Sequence, residues 1–357
     1  MADEFVPPNL TRREFLGWAA ASALAGASWL SACGRSGART VRFLNWSGNM
    51  GEDTLQRFER ETGVLVNCDY YTTAAGILAK LSGKAGAYDL VIAPDHVVPR
   101  LRELKRLRPI PHHELKSLPG IAAFLRNPPY DPGLGYTVPY LWGTMGLGVS
   151  APRFHRRPDS WWALWDEKYK GRLSMLDDPH KTIQCALLML GLPAGSKDPA
   201  HLKKARDLLL RQRPLVQEYD SANYPEKLAA GRLWLSQAWS GDVLQAVAEG
   251  KKVDFIVPKE GSFFWTDSLC LPRGSQHKKE AMLLLDYLLR PDVAAEIANA
   301  TRSAPADEAA LPLLDLSLRK DPRAFPPPAV LSRLRFAPAL DAKTEDLWHR
   351  TWEEVQG

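Results

Sequence analysis

Tyr88-Asp89-Leu90-Val91-Ile92-Ala93 is the stretch on which the fold turns. Past Asp89 it has no polar alternation, the pattern of a strand covered on both faces, as in a parallel sheet flanked by helices. Reading back from it, Val41 to Trp46 is a strand, and Asp53 to Thr62 is a helix that turns Leu55 and Phe58 inward and stops at Gly63. Val64 to Val66 is a second strand, and the stretch with Ile77, Leu78 and Leu81 is a second helix. Together these make a βαβαβ start. Parallel strands joined by right-handed crossovers leave ligand crevices at their carboxyl ends, so Trp46 to Asn49 and Pro94 to His96 are candidate site loops.

Reading forward, Arg100, Arg102, Lys105, Arg106 and Arg108 suit the solvated face of a helix. Val138 to Val149 is extended and Gly-spaced, a strand crossing between two lobes. A second α/β set follows. Ser160 caps a Trp-rich helix with Trp161, Trp162 and Trp165 at core spacing; Leu173 to Leu176 is a strand, Pro179 to Leu190 a helix, Asp198-Pro199 opens another, and Leu233 to Trp239 is a strand. Val253 to Val257 and Phe263 to Leu271 are strands, the second crossing back. Helices at Lys278 to Leu289 and Pro291 to Ala300 return to the first lobe, and the Pro-rich stretch Asp321 to Pro328 precedes a last helical segment ending at Trp352. Alternation of this kind specifies an α/β fold, and the 357-residue length suits two domains that each bury a core.

The amino terminus carries an address. Thr11-Arg12-Arg13-Glu14-Phe15-Leu16 followed by an apolar run to Leu30 reads as a twin-arginine export signal, and Leu30-Ser31-Ala32-Cys33 resembles the lipobox of bacterial lipoproteins. Cys33 would then be diacylated, and two chains anchor stably at about 0.8 kcal/mol per buried methylene. The run from Phe15 to Leu30 is shorter than the roughly 20 apolar residues a membrane span needs. Residues 1–32 are thus expected to be a signal peptide and 33–39 a tether, on a protein of the periplasm or cell envelope.

Composition excludes several classes. The 46 Lys and Arg against 41 Asp and Glu are spread along the chain, without the dense basic, aromatic-interleaved stripe of a nucleic-acid binder. Besides Cys33 there are Cys68, Cys185 and Cys270, each in an apolar run where a free thiol packs as a small hydrophobe. The eight His show no metal-ligand spacing, so neither metal nor other cofactor is expected. GxSxG, Walker and ordered GxGxxG motifs are missing, and Gly143 to Gly148 has the last spacing reversed. An exported hydrolase with dispersed carboxylates remains the alternative.

Trp and Asp residues fall at strand ends: Trp46, Asp177-Asp178, Trp239, and Trp265 with Asp267. Aromatic faces attract a cation and cover methylenes, while a carboxylate anchors an ammonium by a charge-assisted hydrogen bond. Such a set describes a slot for an organic amine. Each residue also has a plain structural use: a Trp packs in a core, and Asp178 before Pro179 is a natural helix cap.

Asn45-Trp46-Ser47, Phe58 to Gly63, Ala87 to Val91, Val138 to Gly143, Trp165 to Gly171, Pro258 to Gly261, Phe264-Trp265-Thr266-Asp267-Ser268-Leu269 and Leu288 to Ala294 resemble, in order, the spermidine/putrescine-binding proteins of bacterial ABC importers. The resemblance spans roughly residues 41 to 310. It implies a two-lobed clamshell of the type II-like periplasmic-binding-protein fold, with 40–145 plus 268–310 as lobe 1 and 146–267 plus 311–357 as lobe 2. It further implies a monomer that is not an enzyme, captures a small amine in the interlobe cleft and delivers it to an ABC permease in the membrane; a ligand-sensing partner of a membrane receptor would look the same.

Carried over by position, the site would use Trp46, Ser47, Asp178, Trp239, Trp265 and Asp267, with Asp267 on the amine between the lobes. Asn49, His96 and Ser303 stand at or near positions where the family has Tyr, and Lys181 stands where it has a second acid. A ligand ammonium within about 4 Å of Lys181 would be repelled by roughly 4 kcal/mol at an effective dielectric near 20. The expected ligand therefore keeps one amine at Asp267 and is shorter than spermidine or zwitterionic. Lys181 itself is free to neutralise Asp178, to hold a ligand carboxylate, or to swing out to solvent.

Overall fold

Strands carry the architecture: β1 Thr40–Trp46, β2 Leu65–Tyr71, β3 Leu90–Pro94, β4 Leu107–Arg108, β5 Thr137–Ser150, β6 Leu173–Met175, β7 Val216–Tyr219, β8 Leu235–Trp239, β9 Val253–Ile256, β10 Ser262–Pro272, β11 Ala304–Pro305 and β12 Leu334–Phe336. This computed structural model describes residues 39–83 and 86–357. The signal segment, Cys33 and the tether up to residue 38 lie outside the described residues.

The strand order is β2-β1-β3-β10-β5-β8-β6-β7. β1 runs parallel to β2 and β3, and β10 is antiparallel to β3. The fourteen residues of β5 are all buried and serve two lobes: Thr137 to Thr144 pair with β10, while Met145 to Ser150 pair with β8 and β9. One long strand therefore ends one lobe and begins the other. β10 is the second crossing strand, hydrogen-bonded to β5 and β3 on its two sides. Two α/β lobes joined by crossing strands are the expected clamshell.

The first core gathers Val41, Phe43, Leu90 and Ile92 under Leu284, Leu285, Leu288, Val293 and Ile297. Those last five come from helices Lys278–Leu288 and Pro291–Thr301, which return to this lobe as anticipated. The second core holds Met145, Leu147, Leu173, Leu235, Phe255 and Trp161. The carboxyl-terminal helix Ala342–Gln356 puts Trp348, Trp352 and Val355 against Leu187, Leu202 and Leu209 beside it. Leu334 and Phe336 of β12, by contrast, lie on the first core.

Four local expectations change. β2 runs on to Tyr71 because all seven residues of β1 find parallel partners there, and as the sheet's edge it leaves Leu65 and Tyr70 exposed. The basic group does not form one helical face: the helix Val98–Glu103 ends before Lys105, whose φ of 53° is left-handed, and Arg108 lies in β4. Trp161–Trp165 is a 3-10 helix, capped by Ser160 as expected. Three residues per turn place Trp161 and Leu164 inside and leave Trp162 47% exposed. Among the cysteines, Cys185 and Cys270 are buried and free, but Cys68 on the edge strand is only partly covered.

Candidate functional site

The site assembles where the two crossing strands meet the carboxyl ends of β1, β3 and β8. Asp267 lies opposite Pro94 of β3 and Leu141 of β5, next to a register shift that leaves Tyr140 without a partner on β10. Pro139 cannot donate to the ladder, which favours an irregularity at this point, and a bulge re-aims the neighbouring side chains. Asp267 is 8% exposed. Asn49 Nδ2 donates to Asp267 Oδ2, and the Tyr140 hydroxyl holds the Asn49 carbonyl at 3.1 Å. Burial, with Asp95 nearby adding like charge, pushes the Asp267 carboxyl up to about 7. No Lys, Arg or His among the described residues forms an ion pair with it.

Asp95, which follows β3, is the group that sequence reasoning missed. It is 2% exposed; its amide donates to the Thr266 carbonyl at 2.9 Å, which ties it to the residue before Asp267. Its Oδ1 accepts from the His96 amide at 2.7 Å and from Lys181 Nζ at 3.4 Å, while Oδ2 is buried without a donor among the described residues. Burial alone would raise this carboxyl, but the Lys181 ammonium and His96 hold it down at about 2. Its signal was available: an acid closing an apolar strand at the sheet's carboxyl edge, inside the loop Pro94 to His96.

Lys181 does not swing out to solvent. It is 1% exposed, paired with Asp95 of the other lobe, and its Nζ lies 5.6 Å from the centre of the Trp239 ring. Nor is its ammonium on Asp178. Asp178 caps the helix Pro179–Met189, accepting from the Lys181 backbone amide at 3.1 Å, so the capping reading holds. Burial opposes its charge, but His96, His180 and Lys181 nearby hold its carboxyl below the usual range. His180 stacks obliquely on His96 at 5.1 Å and meets Glu345 at 2.6 Å; burial disfavours its charge, yet the Glu345 contact and Asp178 raise its pKa.

The aromatic residues take two positions. Trp46 packs edge-on against Tyr71 at 5.2 Å, and Trp239 meets Trp265 edge-on at 6.4 Å. The Trp265 indole nitrogen is buried without an acceptor among the described residues. Ser47 is exposed at the loop tip, with its amide on the Tyr71 carbonyl. Ser303 is buried and donates to the Thr301 carbonyl at 3.3 Å. Small residues make room for Trp265: a Cβ at Gly143 would fall 2.6 Å from Trp265 Cζ2 and 2.7 Å from Ser240 Oγ. Gly143→Ala should therefore cost about 1–3 kcal/mol and shift Trp265. Thermal denaturation and ligand titration of the variant check this; an unchanged midpoint together with unchanged affinity would refute it.

The family model described as "Bacterial extracellular solute-binding protein" matches residues 53–325. This chain belongs to the bacterial extracellular solute-binding proteins. As a solute-binding protein of this family it serves substrate binding in transport and is not an enzyme, so the hydrolase alternative falls away. It is 32% identical over 306 residues to the spermidine/putrescine-binding periplasmic protein of Salmonella typhimurium, covering 85% of this chain and 88% of that protein. Among solved structures it resembles the spermidine/putrescine ABC transporter substrate-binding protein PotD from Streptococcus pneumoniae, with a TM-score of 0.77 and 21% identity over 89% of this chain and 99% of the other. The TpPotD lipoprotein of Treponema pallidum has the same fold, with a TM-score of 0.79 and 23% identity over 88% of this chain and 99% of the other. For this solute-binding protein the two-lobed architecture thus has independent support.

Proposed function

We propose that this solute-binding protein captures a polyamine or related small organic amine in the cleft between its lobes and delivers it to an ABC-type permease. The observation that carries the reading is Asp267: a buried carboxylate that forms no ion pair among the described residues, bonded by Asn49 and sharing the cleft with Trp239 and Trp265. An ammonium supplies the missing charge, and the Trp rings cover its methylenes. In this reading Trp46, Ser47, Asn49, His96, Asp178, Lys181, Trp239, Trp265, Asp267 and Ser303 line the ligand path. The free indole N–H of Trp265 is a donor left for an acceptor on the ligand. The lobes comprise 40–145 with 268–310 and 146–267 with 311–357, except that Phe325, Leu331 and β12 pack on the first core and go with the first lobe, and they close by a hinge in β5 and β10 on a monomer. Cys33, diacylated after export by the twin-arginine route, would tether the protein to the membrane that holds its permease.

A thermal-shift screen against amines, amino acids and sugars tests the reading. A ligand at 100 times its Kd stabilises by about 2.7 kcal/mol. Amines should respond, and a response to neutral sugars alone would refute the assignment.

Affinity should also depend on pH. Below pH 7 Asp267 holds a proton that an incoming ammonium must displace, since its carboxyl titrates at about 7. Binding should therefore strengthen as pH rises from 6 to 8, by up to about tenfold per unit below the pKa. Asp95 stays charged across this window, because the Lys181 ammonium and His96 outweigh burial and hold its carboxyl at about 2. Calorimetry at three pH values checks the slope, and affinity that falls as pH rises would contradict it.

A further inference from the structure

We propose that Lys181 is a built-in ammonium group that takes one cationic position of the cleft, so that the ligand supplies one ammonium, at Asp267, and not two. The inference rests on the amine reading above and narrows its substrate class. Lys181 makes the contacts a bound ammonium would seek: a buried carboxylate at 3.4 Å and the face of a Trp ring at 5.6 Å. Both partners are buried, Lys181 at 1% and Asp95 at 2% exposure, so the pair is a fixture of the interlobe contact and not a surface encounter.

Charge balance in the cleft gives the number of ligand charges. Asp95, just past β3, and Asp267 of the neighbouring β10 are joined through the Asp95 amide and the Thr266 carbonyl, and carry two negative charges between them once an incoming ammonium has displaced the Asp267 proton. Lys181 supplies one positive charge. A single ligand ammonium beside Asp267 completes the balance, and the unpartnered Asp95 Oδ2 is a second acceptor for the pair's cations. Further along, Asp178 is already met by the helix amino terminus and by His180 and His96, and His180 by Glu345. A second ligand ammonium would find no open carboxylate there. Within about 4 Å of Lys181 it would lose on the order of a thousandfold in affinity.

Calorimetry with three four-carbon ligands tests this: n-butylamine, 4-aminobutyrate and 1,4-diaminobutane. The purified protein should bind at least one of the single-ammonium ligands ten times or more tighter than the diamine. Lys181→Met should reverse the order, because Asp95 and Asp267 are then two unbalanced carboxylates. Lys181→Met combined with Asp95→Asn leaves one carboxylate and should restore preference for a single ammonium; it also guards against a variant that fails to fold around a lone Asp95. Diaminobutane as the tightest ligand of the unsubstituted protein, or a ligand order that Lys181→Met leaves untouched, overturns the proposal while leaving the amine reading in place. Failure of all three ligands at millimolar concentration, with sugars or neutral amino acids binding instead, overturns both.

Discussion

Asp267→Asn should abolish amine binding and, at the same time, stabilise the ligand-free protein. Losing one partner of a buried, hydrogen-bonded charge pair costs about 2–5 kcal/mol, or thirtyfold to several thousandfold in Kd. The stability effect has the opposite sign. An ordinary Asp titrates near 3.8, whereas Asp267 titrates at about 7 in the fold because it is buried near Asp95. Between those values the folded state binds more protons than the unfolded one, so stability falls as pH rises through the window and the full penalty is present above about pH 7. At about 1.4 kcal/mol per unit, the penalty is of order 4 kcal/mol at most. The amide carries no such charge and still accepts from Asn49. Denaturant unfolding at pH 5 and pH 8, with and without ligand, tests both signs. The variant should gain on the parent as pH rises, and a variant that is less stable at pH 8 and binds amines normally would place the ligand elsewhere.

Asp89→Ala should give the largest loss of stability away from the cleft. Asp89 is fully buried between β1 and the start of helix Lys278–Leu288. It accepts from the Arg42 backbone amide at 3.0 Å, Arg42 Nε at 3.1 Å, the Gln276 amide at 3.0 Å and the His277 amide at 3.2 Å. Burial pushes its carboxyl up, but the bonds from Arg42 and His277 outweigh burial and hold it far below the usual range. Removing it strands several donors and one guanidinium, a loss of about 3–5 kcal/mol. Because the folded-state pKa is depressed, the contribution is present above the unfolded value near 4 and fades as pH falls below it. The gap between parent and variant in urea unfolding should be full at pH 7 and narrower at pH 3. A difference under 1 kcal/mol at pH 7 would mean that the network is spread over other contacts.

Part of the candidate site was legible because some of its residues sit at strand ends, where period and termination both show in the text. Trp46 and Trp239 were proposed in this way, and Trp265 and Asp267, inside β10, from the crossing segment. Asp178 was legible as a cap because its partner is the amide three residues on, inside the same helix. Asp95 was not singled out, since nothing local tells an acid that meets a lysine 86 residues away from one facing water. Trp162 was misjudged for a different reason: a core spacing at 3.6 residues per turn does not survive when the segment winds with three.

Local interactions explain what the sequence determined unaided: the apolar runs that become covered strands, the two crossing segments, the caps at Ser160 and Asp178, and the clustering of Trp and Asp at the carboxyl edge. Tertiary structure alone decided where charge is balanced. Asn49 reaches Asp267 across 218 residues, and Lys181 crosses from one lobe to Asp95 of the other. Such pairings depend on distances that only lobe docking sets, and the energy of a charge depends on the water that docking removes. That is why a lysine with three readings in the sequence has one in the fold.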